Sequence, residues 1–302
     1  MSALPSLKQL HYLVALADEL NFTRAAQCCF VSQSTLSAGL KELEALLDAR
    51  LVERDRQNVL MTPLGQEVAE RARSILSATR DLVELTAAAR APMASLLRLG
   101  VIPTVAPFLL PRAMRLLRSN HADLKLALRE DVSLNLLPRI EDGLLDFALI
   151  ALPFQTGNLL VEPLFDDPFC LVGRPQDAEL QATAPLRVPP LERLLLLEEG
   201  HCLREHTLIA CGPAPPPTGE SAAATSLLTL VQMVESGLGL GLLPSMAAYG
   251  GLLDGSTLVL RSLVAPAPHR TIALVARRST SRGADLQALA QVFRSVAAVT
   301  PR

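Results

Sequence analysis

The chain has 302 residues, half of them hydrophobic, with 3% aromatics, no tryptophan and a formal charge of -2. That length allows two or three domains, with a core built on aliphatic side chains. The charge gives no global pull toward nucleic acid or an anionic membrane, so any such partner has to be met by a local patch. The N-terminus lacks the basic region and small-residue cleavage site of a secretory signal. The longest uncharged stretch, Ser236 to Leu253, carries Pro244 and five glycines, which suits a buried, turn-rich segment rather than a membrane span. Five cysteines without a regular framework suit a reducing cytoplasm, where a disulfide is more often regulatory than structural.

Residues 5–20 put Leu7, Leu10, Leu13, Leu16, Ala17 and Leu20 on one helical face. Thr23 is expected to cap a short second helix over 24–29. Phe30 and Val31 make a tight turn, and Ser32 caps a third helix with Leu36, Leu40, Leu43 and Leu47 inward. The opening residues of that helix, Gln33, Ser34, Thr35 and Ser37, are small and polar, as a helix end approaching bases in a major groove requires. Two β-like runs, 51–52 and 59–61, flank a charged turn whose Arg54 and Arg56 are placed to meet phosphates. Three helices and a wing read as a winged helix-turn-helix over 1–65. Seven acidic residues against six basic ones in that span leave net charge silent about DNA. Their distribution favours it, because Glu42, Glu44 and Asp48 fall behind the opening of the third helix. The pattern alone also admits a small helical domain with no DNA role.

Thr62-Pro63 is a strong helix start, and the helix is expected to run to about residue 90. Val68, Ile75 and Leu82 recur every seven residues, with Ala72, Thr79 and Thr86 between them. Such a seam suits pairing with a second helix, so 66–91 reads as a dimerisation linker; the other reading packs this helix on its own domain. Beyond it, strand, turn and helix over 96–117, a strand at 124–130, a helix at 133–142 and an apolar strand at 145–151 imply a parallel sheet of βαβ units. Strand 169–172 is expected to cross into a second α/β subdomain, strand 194–197 and helix 226–236 to lie within it, and strand 271–276 to cross back. The boundaries so drawn are 92–167 with 268–302 for the first subdomain and 168–267 for the second.

Strand 194–197 leads into EEGHCLREHTLIACG, residues 198–212, which holds Cys202 and Cys211 with His201, Arg204, Glu205 and His206 around the first. Cationic neighbours favour the reactive thiolate, and a thiolate with a second cysteine in reach is the arrangement of a redox sensor. Two ordinary packed cysteines are the alternative. Cys28 and Cys29 read as helix-packing residues and Cys170 as a buried strand residue. The spacing of His201, Cys202 and His206 fits no common zinc pattern; no metal or cofactor is expected.

The run FTRAAQCCFVSQSTLSAGLKELEALLDARLVERD, closed by MTPLG, resembles the DNA-binding domain of LysR-type transcriptional regulators. The resemblance implies DNA contacts from Arg24, Ser32, Gln33, Ser34, Thr35, Ser37, Arg54 and Arg56. It also implies a dimerising linker helix, a C-terminal sensor of two α/β subdomains resembling a periplasmic binding protein, and a tetrameric assembly. Within the family the chain is most similar to the hydrogen-peroxide sensors, through LGVIPTVAPFLLP, PLFDDP, LLLLEEGHCLREH with Cys211 at its expected spacing, ATSLLTLVQMVESGLGLGLLP and HRTIALV. By that likeness Cys202 is the peroxidatic thiol and Cys211 the resolving one. The likeness also implies Thr104, Ser133, His201, Arg270 and Glu205 as the peroxide pocket.

The same likeness implies promoter DNA, hydrogen peroxide, RNA polymerase and a cellular thiol reductant as partners, and a cytoplasmic location. Ser133 stands where relatives often carry threonine, Glu205 where they carry aspartate, and the GPAPPP run after Cys211 is unusual. Two other functions remain to be separated. One is a LysR-type regulator that binds a small metabolite between its subdomains. The other is a thiol peroxidase-like enzyme, which would have no use for a winged helix.

Overall fold

The computed structural model describes residues 4–54, 59–88, 92–181, 186–212 and 223–298. The chain opens with α1 (Leu7–Glu19), α2 (Phe22–Cys28) and α3 (Gln33–Leu47). Ser6 starts α1 with a reciprocal capping box: its hydroxyl accepts from the Gln9 N–H and the Gln9 side chain reaches back to the Ser6 N–H. The cap of α2 is Asn21 rather than the expected Thr23. Its carboxamide oxygen accepts from both Thr23 and Arg24 N–H groups, satisfying two amides that the helix cannot. Ser32 caps α3 as expected, accepting from the Thr35 N–H.

Tyr12, Leu13, Leu16, Phe22, Leu36, Leu40 and Leu43 close one core. Cys29 packs against it, but Cys28 is exposed, its thiol 3.8 Å from a Glu19 carboxylate oxygen. Adjacent helix positions point about 100° apart, so one of the pair has to leave the core. The wing is β1 (Val52–Arg54) paired antiparallel with β2 (Val59–Met61). The Glu44 carboxylate fastens it to α3 by accepting from the Leu51 and Val52 N–H groups. Thr62 then opens α4 (Pro63–Ala88), its hydroxyl accepting from the Gly65 N–H. On α4, Ala69 and Ala72 are buried, whereas Ile75 and Leu82 of the seven-residue series are 49% and 66% exposed.

The second unit runs β3 (Leu96–Val101), α5 (Ala106–Asn120), β4 (Lys125–Glu130), α6 (Ser133–Glu141), β5 (Phe147–Leu152), β6 (Leu160–Gly173), the short α7 (Ala178–Gln181), α8 (Cys202–Cys211), α9 (Leu227–Glu235), β7 (Gly241–Pro244), the single-turn α10 (Ser245–Ala247), β8 (Val259–Ser262), β9 (His269–Ala276) and α11 (Gly283–Ala298). Its strands lie in the order β4-β3-β5-β9-β6-β7, with β8 also on β6. Among the described strands only β3 with β4 and β3 with β5 are parallel. The remaining pairs are antiparallel, so the expected parallel sheet is a mixed one. The chain leaves one half on β6 and returns on β9, and those two neighbours necessarily run in opposite directions.

β6 spans 14 residues where a short strand at 169–172 was expected. Its first part carries two prolines and a bulge between Pro163 and Phe165, which break the strand pattern in sequence. The expected strand at 194–197 is reduced to isolated bridges, Leu194 with Leu240 and Leu197 with Ala224.

Two apolar clusters divide this unit. One gathers Leu97, Phe147, Leu149, Leu274 and Phe293, the other Phe169, Leu171, Val234, Leu240 and Leu243. Cys202 belongs to the first and its neighbour Leu203 to the second. The start of α8 is therefore pinned between both.

Candidate functional site

Helix α8 carries one cysteine at each end. His201 occupies its N-cap position but makes no side-chain capping bond, and its half-buried imidazole makes no hydrogen bond to any described residue. Cys202 follows, 4% exposed. Burial pushes its thiol up from the usual range. Opposing that shift are the Arg270 charge, the backbone N–H groups of Leu203 and of Cys202 itself, and the Ser133 hydroxyl. The cation and the amides at a helix start are the features that stabilise a thiolate once it forms.

Arg270 is fully buried on β9 and held on three sides. Its Nε donates to the Asp167 carboxylate at 3.0 Å, Nη1 to Thr104 Oγ1 at 2.6 Å and Nη2 to the Thr104 carbonyl at 3.0 Å. Asp167 spends its other oxygen on the Met246 N–H at 2.9 Å. Because Thr104 Oγ1 accepts from a guanidinium, its own proton is left to donate elsewhere. Ser133, the first residue of α6, is buried; it favours the Cys202 thiolate, yet among the described residues its Oγ has no partner within hydrogen-bonding geometry. A buried hydroxyl without a partner is costly, and here it lies beside a sulfur that could hold a small polar molecule against it.

Four of the expected pocket residues, Cys202, Thr104, Ser133 and Arg270, thus form one buried group. His201 stands next to it along the chain without a bond into it. Glu205 does not join: it is exposed in the first turn of α8. Cys211 ends the helix half-buried, its thiol raised by burial and by the Glu192 charge. The GPAPPP run begins at Gly212 and passes outside the described residues.

Sequence reasoning missed one group and gave another, His206, no role beyond a rejected metal site. Asp167 lies inside the quoted PLFDDP run, but its role appears only when register sets it opposite Arg270. His206 is buried on α8; its Nε2 donates to the Pro153 carbonyl at 3.2 Å and its Nδ1 has no partner among the described residues. Among the described residues no group of three His, Cys, Asp or Glu side chains could hold a metal ion, and no helix is long and apolar enough to cross a membrane.

At the other end of the chain, Ser32, Gln33, Ser34 and Thr35 are exposed at the start of α3 and Ser37 is half-buried. Ser32 Oγ lies 2.8 Å from Ser34 Oγ and 2.7 Å from Thr35 Oγ1. Arg24 is exposed but already engaged, 3.1 Å from the Glu19 carboxylate and 2.7 Å from the Glu19 carbonyl. Arg54 ends β1, and Arg56 lies outside the described residues.

Two family models match separate parts of the chain. Residues 7–66 match the bacterial regulatory helix-turn-helix protein of the lysR family, and residues 90–298 match the LysR substrate binding domain. The HTH-type transcriptional regulator EstR of Acinetobacter baylyi is 42% identical over 298 residues, 99% of each chain. The DNA-binding transcriptional dual regulator OxyR of Escherichia coli is 34% identical over 291 residues, 96% of this chain and 95% of its own. A full-length OxyR from Pseudomonas aeruginosa, solved with one cysteine replaced by aspartate, superposes with a TM-score of 0.79 at 35% identity, covering 97% of each chain. With both of its parts matched and relatives aligned along nearly its whole length, this chain belongs to the LysR family of DNA-binding transcriptional regulators and is related to the OxyR proteins.

Proposed function

We propose that this regulator senses hydrogen peroxide through Cys202 and reports it to promoter DNA through a reversible Cys202–Cys211 disulfide. The carrying observation is the buried group at the start of α8: a thiol faced by a guanidinium and by a hydroxyl without a hydrogen-bond partner among the described residues. The Cys202 thiolate attacks one peroxide oxygen, forming Cys–SOH, and the O–O bond breaks. Hydroxide leaves and takes up a proton, with Ser133 and Thr104 donating hydrogen bonds and Arg270 balancing the charge that develops. The Cys211 thiol then attacks the sulfenic sulfur, forming the S–S bond and releasing water. A cellular dithiol supplies two electrons and two protons to reset it. Because burial raises the Cys202 thiol, the first step should quicken as pH rises through that thiol's range.

The second step demands motion. Nine residues of helix at ~1.5 Å rise keep the two Cα atoms roughly 13 Å apart, whereas a disulfide needs them within about 7 Å. α8 therefore has to unwind, withdrawing Cys202 and Leu203 from the two cores they join. That change alters the regulatory surface through which protomers, dimerised by α4 and assembled as tetramers, set the spacing of their DNA-binding heads. RNA polymerase reads the outcome at the promoter. Peroxide is consumed once per oxidised sensor, so the chemistry is signalling rather than turnover.

Substoichiometric peroxide on the purified full-length protein, followed by peptide mass mapping, tests this. The expected product is the Cys202–Cys211 disulfide, lost in Cys202→Ser together with any peroxide-dependent change in DNA footprint. A Cys202 that stays a free thiol while other cysteines oxidise would sink the reading in favour of a regulator that binds a small metabolite.

A further inference from the structure

The helix-turn-helix holds an aromatic side chain where stability alone would not put one. Phe30, in the turn between α2 and α3, is 96% exposed and its backbone is left-handed, with φ 54°. Its N–H donates to the Gln27 carbonyl at 3.1 Å and the Val31 N–H to the Ala26 carbonyl at 3.0 Å. That is the paired closure of a helix whose next residue is left-handed, a position glycine or asparagine fills without strain. A large aromatic there strains the backbone and gains no burial. Met93, another left-handed residue, is by contrast buried. Local rules broken in this way concentrate where function maintains them.

What adjoins Phe30 indicates the function. Two residues on, Ser32 caps α3, and the exposed polar residues 32–35 follow at the end of the helix that a LysR-type head presents to DNA. Ser32, Ser34 and Thr35 already exchange hydrogen bonds among their hydroxyls, and none of these residues offers broad apolar area. We propose that Phe30 is a DNA-contacting residue whose ring packs on hydrocarbon at the rim of the major groove, either a deoxyribose face or a thymine methyl. Continuity with the reading end of α3 favours DNA over a second protein as the occupant. An uncharged ring displaces no counterions, so its contribution should not depend on salt, unlike that of an arginine or lysine on phosphate.

The test uses the full-length protein and a duplex that the wild type selects from a randomised pool. Phe30→Ala should weaken binding about five- to tenfold, the scale of partly burying one aromatic ring, with the slope of log Kd against log salt unchanged. Phe30→Gly should lose the same affinity while its thermal midpoint stays level or rises, because glycine relieves the left-handed strain. Replacing thymines by uracil one at a time separates the two hydrocarbon sources. A single uracil that reproduces the Phe30→Ala loss assigns the methyl, and no effect at any position assigns the sugar. Wild-type affinity in Phe30→Ala would overturn the proposal. So would an altered salt slope, or a midpoint lowered by more than about 4 °C, which would make Phe30 a packing residue.

Discussion

Helices α3 and α8 are built to opposite ends. α3 has a serine cap, 15 residues, and Leu36, Leu40 and Leu43 buried in a single core. α8 has ten residues, no side-chain cap, and its first two residues in different cores. Its other anchors among the described residues are the His206 bond to the Pro153 carbonyl and the Arg204 Nη1 bond to the Leu197 carbonyl at 3.2 Å. A helix that short is marginal without tertiary support. The first element presents a fixed surface; the second is the one that the proposed disulfide would have to unwind. DNA reading needs a rigid shape, and a switch needs a segment whose unwinding costs little.

The contrast can be broken most strongly through packing. Leu40→Ala should cost about 2–5 kcal/mol of global stability, read by denaturant unfolding. Leu203→Ala should act mainly on the switch, hastening disulfide closure after sulfenic acid has formed. Equal global losses with an unchanged closure rate would show that α8 is anchored as firmly as α3. A smaller effect is expected at Ile209, an exposed position of α8. Alanine and glycine there differ by about 1 kcal/mol in helix propensity. Ile209→Gly should therefore close the disulfide about fivefold faster than Ile209→Ala, with equal rates of sulfenic acid formation; equal closure rates would mean that helix unwinding is not part of the step.

The mildest probe is pH. Burial holds the His206 imidazole down from 6.5 to about 4, assisted by the Arg270 charge and opposed by the Pro153 carbonyl. A depressed group of this kind contributes stability that is present above pH 6.5 and lost as pH falls toward 4. His206→Leu should flatten that part of the stability profile, and identical acid limbs in both proteins would remove His206 from the balance.

Much of the head was legible because its signals are local. Leucines at helical spacing, Ser32 before α3 and Thr62-Pro63 before α4 each act within a turn or two. Asn21 holds the cap expected of Thr23, because its carboxamide reaches the Thr23 and Arg24 amides, and sequence alone does not say which side chain reaches the free amides. The thiol group was legible in part, through the GHCLR run and its second cysteine. What lay hidden was set by register across long separations. Asp167 meets Arg270 through the pairing of β6 and β9, and prolines disguised the strand that makes the pairing. Glu205 looked adjacent to Cys202 in sequence, but the helical turn sends it to solvent.

The pairing of β6 with β9 runs from Leu160 opposite Ala276 to Pro168 opposite His269, and Asp167 and Arg270 face each other on the rung just before its end. The same guanidinium thus steadies the thiol and rivets the strands where they part. A buried pair broken on one side is strongly destabilising, so under the proposed function selection has little freedom to adjust peroxide sensitivity at residue 270. That freedom falls to groups with a single duty, Ser133 above all. Lineages facing different peroxide loads should therefore diverge at the hydroxyl side of the thiol while the cation stays fixed.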